Sequence, residues 1–558
     1  MRSSQFLKVT VLVFCFFVRP AAAETVDEAS AIIFKAMEEE MARSREALKV
    51  DVFEPPYFIH YQVRHHHRVS VLASFGSLID SSKGENRTLF VDVRVGDKSF
   101  DSSVPGSHQY GTQQMVPLDN DYDALRRALW QETDLRYKQA IMNYLKKKGR
   151  YISGVEAHDI DDFSAGDPVG VRIEEVPEIG VDVDLWEEQA RQISAVFKQA
   201  PEIEKSRVKL NADRIIRHYM DSDGNKIRST ILRYGVSLEA WTKTESGAPI
   251  HDQETITLSG LKQFPSVEEL TGKADRLIRG LKELKKAARA EPYVGPAIFS
   301  PDASAILFHE AIGHRLEADR LRQATDGKTF MKKVGKRILP PFLTVVDNPL
   351  LKNYNETDLA GHYLFDDEGQ KSQKVVLIDQ GVLKSFLLSR TPVSGFSRSN
   401  GHARSDGTKL PMSRMGNILV QSDKRLSPDA LKQSLIDEVK RQKKPYGLFV
   451  KKILSGETQT EAANFQVFKG KPIYIYKVYP DGREELVRGV EFVGTPLSMI
   501  SKVIATGRDD RVINGFCGAE SGFIPVTSVT PSVLLSEVEL QAASQTRLRP
   551  PILTPPPL

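Results

Sequence analysis

The chain has 558 residues, with 77 Lys and Arg against 73 Asp and Glu and a formal charge of +4. That near balance, with charges mixed along the chain rather than blocked, leaves no electrostatic footprint for nucleic acid. Its length is far above the size at which one hydrophobic core stops growing, so two or three domains are expected, and its two cysteines are too few for a disulfide scaffold.

Met1–Ala23 reads as a secretory signal peptide: Arg2 and Lys8, an apolar run from Val9 to Val18 broken only by Thr10, then Ala21-Ala22-Ala23 before Glu24. The run is about half of what a bilayer span needs. No other stretch approaches that length, so the mature chain is expected to be exported, periplasmic or secreted, and without a membrane span. Cleavage after Ala23 removes Arg2, Lys8 and Arg19, which lowers the charge from +4 to +1, and leaves Cys517 as the sole cysteine. Cys517 is then an inert buried thiol, an intermolecular bond, or a ligand or nucleophile.

Residues 26–48 carry apolar positions at helical spacing among Glu and Arg and predict an amphipathic helix. Extended segments follow at 57–63, 69–75 and 89–95, separated by Gly, Ser and Asn. His65-His66-His67 stands between the first two; on a strand the three would alternate faces and could not all meet one ion, so the run reads as surface strand. A helix is expected over 122–148, closed by Lys146, Lys147 and Lys148 before Gly149. Another covers 185–199, followed by strands near 205–220 and 226–241 joined through the turn-forming Asp221–Asn225 cluster. Ser266 with Glu269 forms a capping box that opens a helix running to Ala290. Beyond it strands dominate, at 343–346, 374–378, 381–388, 418–421, 447–452, 465–468, 473–478 and 489–493, with one helix over 427–441. Arg547–Leu558 is proline-rich and reads as a disordered or polyproline tail.

One stretch carries chemistry: Phe308-His309-Glu310-Ala311-Ile312-Gly313-His314-Arg315-Leu316-Glu317 places two imidazoles and a carboxylate within six positions. Neutral imidazole binds zinc, and a neighbouring carboxylate can accept a proton from water acidified by the metal. The familiar spacing is H-E-x-x-H, and here the second histidine comes one residue later. A step of five on a regular α-helix leaves two side chains about 140° apart, so the backbone must bulge or stop between them. A π-turn with i to i+5 spacing restores the alignment, and Gly313 is the expected point of give.

With Leu343-Thr344-Val345-Val346-Asp347, Asp367-Glu368-Gly369, Pro411-Met412-Ser413-Arg414-Met415-Gly416-Asn417 and Cys517-Gly518 followed by Ile524-Pro525-Val526, the chain resembles the TldD/PmbA family of DNA gyrase modulators and metalloproteases, most strongly over 295–540. The resemblance implies an active member of the family: a zinc (Zn2+) endopeptidase with His309, His314 and Cys517 as metal ligands and Glu310 as the catalytic carboxylate. It also implies unfolded or flexible peptide substrates and a homodimer or a heterodimer with a paralogue. Cys517, near Gly515 and Gly518, is expected in a pliable turn. Arg315 and Ala318 replace glycines usual in the family, which touches substrate preference. Glu317 reads as a partner behind the ligands, Asp319 as structural, and Arg404 with the 411–417 segment as a turn rather than a substrate grip. Two other readings stand beside the peptidase: a non-catalytic binding partner of a paralogous subunit with a vestigial site, and a cysteine hydrolase using Cys517, for which Glu310 and a second imidazole would be superfluous.

The expected class is α+β: an N-terminal mixed helix and sheet domain over 24–290, with weak resemblance at about 118–183 marking an insertion, then a β-rich, barrel-like C-terminal domain over 291–545 bearing the metal site, then a tail over 546–558.

Overall fold

The computed structural model describes residues 25–543 except 51, 54, 105–113, 155–158, 324–327, 459–467 and 495. The leader, the proline-rich tail and all but Phe468 of the expected 465–468 strand lie outside these residues.

Seven strands make the first sheet: β1 (Phe58–Ser74), β2 (Ser77–Arg94), β3 (Gln114–Val116), β4 (Val171–Ile173), β5 (Lys205–Asp221), β6 (Lys226–Lys243) and β7 (Pro249–Leu258). Their order is β3-β2-β1-β5-β6-β4, with β7 also on β6. The three extended segments read from sequence are thus two long strands of 17 and 18 residues, and His65–His67 sits inside β1. The ladder between β1 and β2 continues through polar, exposed residues from Asp80 to Glu85 that show no apolar alternation. Hydrogen bonds carry the strand past the core, and a pattern of hydrophobicity cannot register that.

Alternation along β1 organises this half. Ile59, Tyr61 and Val63 pack against helices α1 (Val26–Ala47) and α2 (Tyr122–Ile152), while Val69, Val71 and Ala73 join the core under α3 (Val183–Ala195) and α4 (Val267–Lys286). The intervening even-numbered Gln62 and Arg64 point the other way, where both meet Asp367 of the C-terminal half.

Helix starts are legible in the chain. Thr25 and Ser266 each close a capping box, the latter with Glu269 as expected, a device that contributes on the order of 1 kcal/mol. Ends are less so. Helix α2 runs past Gly149 to Ile152, and α4 stops at Lys286 rather than Ala290 because Ala288–Arg289 pairs as a short strand with Glu484–Arg488.

In the C-terminal half, strands Tyr293–Phe299, Gly447–Thr458, Phe468–Val478, Val490–Gly494 and Val533–Ala542 pair in a ring, a closed barrel of five. A six-stranded sheet runs in the order Val382–Leu383, Val375–Asp379, Leu343–Asp347, Asn417–Ser422, Gly522–Thr530, Arg511–Ala519. The expected 381–388 strand is only two residues long, since beyond Leu383 the backbone turns to bond Leu316 and Asn400 instead. Helix α5 (Pro301–Phe308) follows the first barrel strand at once: Ser300 caps it by accepting from Ala303 N–H, Pro301 occupies its first turn, and Ala303, Leu307 and Phe308 enter the largest core. That anchoring fixes the direction in which the next residues point.

Candidate metal centre

Directly after α5 the chain makes one π-turn, His309–Gly313, then a 3₁₀ turn, His314–Leu316. The widened turn supplies what the five-residue spacing demands, and the two imidazoles lie with ring centroids 4.9 Å apart. Gly313, however, has ordinary helical dihedrals, φ −51° and ψ −67°. Its role is steric: a Cβ there would overlap Met415 Sδ and crowd Ile418. The glycine admits a packed neighbour, and the bulge is spread over the turn.

Cys517 lies in the middle of the Arg511–Ala519 strand, paired with Ile524, and not in a turn. Both Gly515 and Gly518 continue the ladder, so the thiol is held by sheet hydrogen bonds. Its Sγ is 3.1 Å from His309 Nε2 and 3.3 Å from His314 Nε2, and the three ligand atoms fall within 4.8 Å of one another. In a tetrahedral site a sulfur at ~2.3 Å and a nitrogen at ~2.0 Å from zinc are about 3.5 Å apart, so the donor set fits that ion with little movement. Burial opposes any charge here, yet His314 and His309 hold the Cys517 thiol well below its ordinary range. Reciprocally, against the burial that disfavours a cation, Cys517 raises His309, and Cys517 with Glu317 raises His314 well above the usual imidazole value. These are the marks of a thiolate awaiting a positive partner.

Glu317 is completely buried, with Oε2 3.0 Å from His314 Nδ1 and accepting from Arg320 Nε at 2.9 Å. Despite burial, His314 and Arg320 push its carboxyl down to about 2. A carboxylate fixed on Nδ1 holds that nitrogen's proton, so Nε2, facing Cys517, is the nitrogen that would give up its proton to a metal. Arg414, fully buried, donates to the Cys517 carbonyl from Nη2 at 2.8 Å and sets Nε 3.4 Å from Glu317 Oε1. One guanidinium therefore ties the support of one ligand to the backbone of another. Sequence reasoning reached Glu317 but treated 411–417 as a turn; the signal it passed over was Arg414 among apolar and small residues, a charge that costs too much to bury without a purpose.

The remaining motif residues take structural posts. Asp347 accepts from Gly416 N–H and Asn417 N–H at 2.9 and 3.1 Å, fixing the segment that carries Arg414. Asp319 accepts from Ser389 Oγ and Ser413 N–H. Arg404 donates from Nη1 to the carbonyls of Met415 and Pro525 and so ties the connection before Asn417 to the Gly522–Thr530 strand. Glu310 is 7% exposed, makes no hydrogen bond to another described residue, and lies close enough for its charge to act on His309. The buried Arg315 lies in its field: burial brings the guanidinium down to about 10 while Glu310 opposes the shift.

Residues 293–542 match the PmbA/TldA metallopeptidase C-terminal domain family. These residues belong to the TldD/PmbA family. An Archaeoglobus fulgidus protein named "Metalloprotease" is 28% identical over 323 residues, 58% of this chain and 70% of its own length. A "Zinc metalloprotease TldD homolog" of Saccharolobus solfataricus is 25% identical over 248 residues, 44% of this chain and 51% of its own. In fold, the crystal structure of TldE from Thermococcus kodakarensis superposes with a TM-score of 0.63 at 15% identity, covering 91% of this chain and all of that one. The family fold thus extends through the N-terminal half, where sequence matching fades.

Proposed function

We propose that the protein is an exported zinc-dependent endopeptidase of the TldD type that cleaves unfolded or flexible peptides. The observation that carries this reading is the convergence of His309 Nε2, His314 Nε2 and Cys517 Sγ, with the neighbouring Glu310 carboxylate making no hydrogen bond to another described residue. Zinc, when bound, supplies Lewis acidity that polarises a carbonyl and lowers the pKa of a water. His309, His314 and Cys517 would hold it, leaving a fourth position open. Glu317 keeps His314 in the tautomer that presents Nε2. Glu310 takes a proton from water at its carboxylate and returns it to the leaving amine. The exported setting rests on the Met1–Ala23 leader, and dimerisation with itself or a paralogue rests on the resemblance.

Glu310→Gln tests the assignment: zinc content should match wild type while peptide hydrolysis falls by about 10²–10⁴-fold, the usual worth of a positioned acid–base group. Undiminished turnover would remove Glu310 as the base. Arg315, a buried cation where the resemblance leads one to expect glycine, favours a second reading, a non-catalytic partner. Wild-type protein that binds zinc and cleaves no peptide, with or without a paralogue, supports that reading instead.

A further inference from the structure

On the reverse face of the strand that bears Cys517 lies a cavity of about 520 Å³. Its floor is formed by β5 and β6, its walls by residues 358–367, Arg404 and Pro525. Two features make it a receptor rather than a packing defect. First, β6 pairs with β4 only at Lys226–Arg228 and with β7 only from Tyr234 onward, so along Ser229–Arg233 one edge of the strand has no neighbouring strand among the described residues. The cavity runs along this gap. Second, Arg233 Nε and Nη1 are buried there without any hydrogen-bond partner among the described residues, as is Thr230 Oγ1.

A guanidinium with two of its three nitrogens shielded from water and left without acceptors among the described residues is costly, and a fold retains one where something else supplies the acceptors. Its neighbours are already committed. Asp213, opposite Arg233 on β5, accepts from Arg68 Nε at 2.7 Å and from Asn211. Asp367 is held by Arg64 and Arg217, and Glu174 lies 3.4 Å from Thr230 N. Burial and the nearby Arg404, Arg64 and Arg68 bring Arg233 down to about 10, with Asp213 opposing, so it keeps its charge at neutral pH. The exposed ring of Phe516 lies 5.1 Å from Cζ of this planar fork. A planar carboxylate matches that fork, and the unpaired strand edge beside it matches peptide backbone.

We propose that this cavity is a carboxylate-binding subsite for peptides, in which Arg233 holds an acidic side chain or a C-terminal carboxylate while backbone groups of Ser229–Arg233 receive the adjoining main chain. The proposal rests on the peptidase reading for its ligand class and deepens it by naming a charge preference. Arg233 acts by positioning, on the far side of the Cys517 strand from the metal ligands, so binding rather than hydrolysis is the readout.

The experiment uses full-length Glu310→Gln protein, with Arg233→Gln or Arg233→Lys added. Fluorescence anisotropy follows three labelled short peptides: one amidated with a single glutamate, its glutamine analogue, and that analogue with a free C-terminal carboxylate. At least one carboxylate peptide should bind about tenfold or more tightly than the neutral peptide, as a charge-assisted bidentate contact provides. The preference should vanish in Arg233→Gln and partly return in Arg233→Lys, with thermal unfolding showing that both variants fold; which carboxylate peptide responds identifies the source. Equal binding of all three peptides, or a preference that survives Arg233→Gln, overturns the proposal. Inorganic phosphate displacing the neutral and acidic peptides alike at lower concentration also overturns it, in favour of a free-anion site. Because the protein is not required to cleave, an inactive wild type would sink the peptidase reading and leave this measurement intact.

Discussion

Among the described residues, two groups bring three metal-capable side chains to within 4.8 Å: His309, His314 and Cys517, and on β1–β2 His65, His67 and Glu85. Distance alone does not separate them. In the second group Glu85 Oε2 is 3.3 Å from both imidazoles, whose rings are 4.1 Å apart. Charge does separate them. Burial together with His67, Arg87 and Arg214 drives His65 down to about 3, and Arg87 Nη2 sits 3.5 Å from His65 Nδ1. That donor favours the tautomer whose Nε2 carries the proton and faces Glu85, which blocks the nitrogen a metal would use. At His314 a carboxylate occupies the corresponding place and frees Nε2. A cation is invited by a thiolate and Glu317 at one cluster and repelled by two arginines at the other. The lesson is that the groups behind the ligands decide whether a ligand set is a site.

The largest effect expected from breaking this contrast is at the thiolate. Cys517→Ala should reduce bound zinc from about one equivalent to a small fraction, since two imidazoles make an incomplete structural set, measured by elemental analysis of the purified protein. Zinc retained at full occupancy would remove Cys517 from the ligand set. Next comes the support: Glu317→Gln should weaken zinc about 10–100-fold by losing the fixed tautomer of His314, read by chelator competition. An affinity unchanged by that substitution would show that Arg320 and Arg414 orient the site without it.

A further effect separates the buried acids behind the two halves. Burial and mutual repulsion raise Glu368 to about 8, and burial raises Asp366 to about 7, whereas Arg217 and Arg64 outweigh burial to hold Asp367 low. Raised carboxyls bind more protons in the folded state than in the unfolded one, so their contribution to stability is lost as pH rises from about 4.5 towards 8. Unfolding midpoints should fall across that window, and Glu368→Gln should flatten the slope. A midpoint that climbs steadily to pH 8 in both proteins contradicts the assignment. The smallest effect is the control: His65→Ala with His67→Ala should leave zinc content unchanged, and loss of an equivalent would mean that β1 carries a second ion.

Much of this was readable along the chain. The imidazole spacing by itself required a departure from α-geometry between His309 and His314, because five residues do not close a helical turn. The Ser266–Glu269 capping box, the Asp221–Asn225 turn and the α+β class followed from local chemistry. What the chain could not show were effects set by distant neighbours: Met415 dictating glycine at 313, the strand that holds Cys517, and Arg414 joining Glu317 to the Cys517 carbonyl across about a hundred positions. Arg233, an ordinary strand residue by sequence, becomes an orphaned charge only when the C-terminal half closes over it. Sequence alone determined which atoms can bind a metal, since that is the chemistry of each side chain. Tertiary structure decided which of them are placed to do so together, because field, tautomer and burial belong to the assembled neighbourhood.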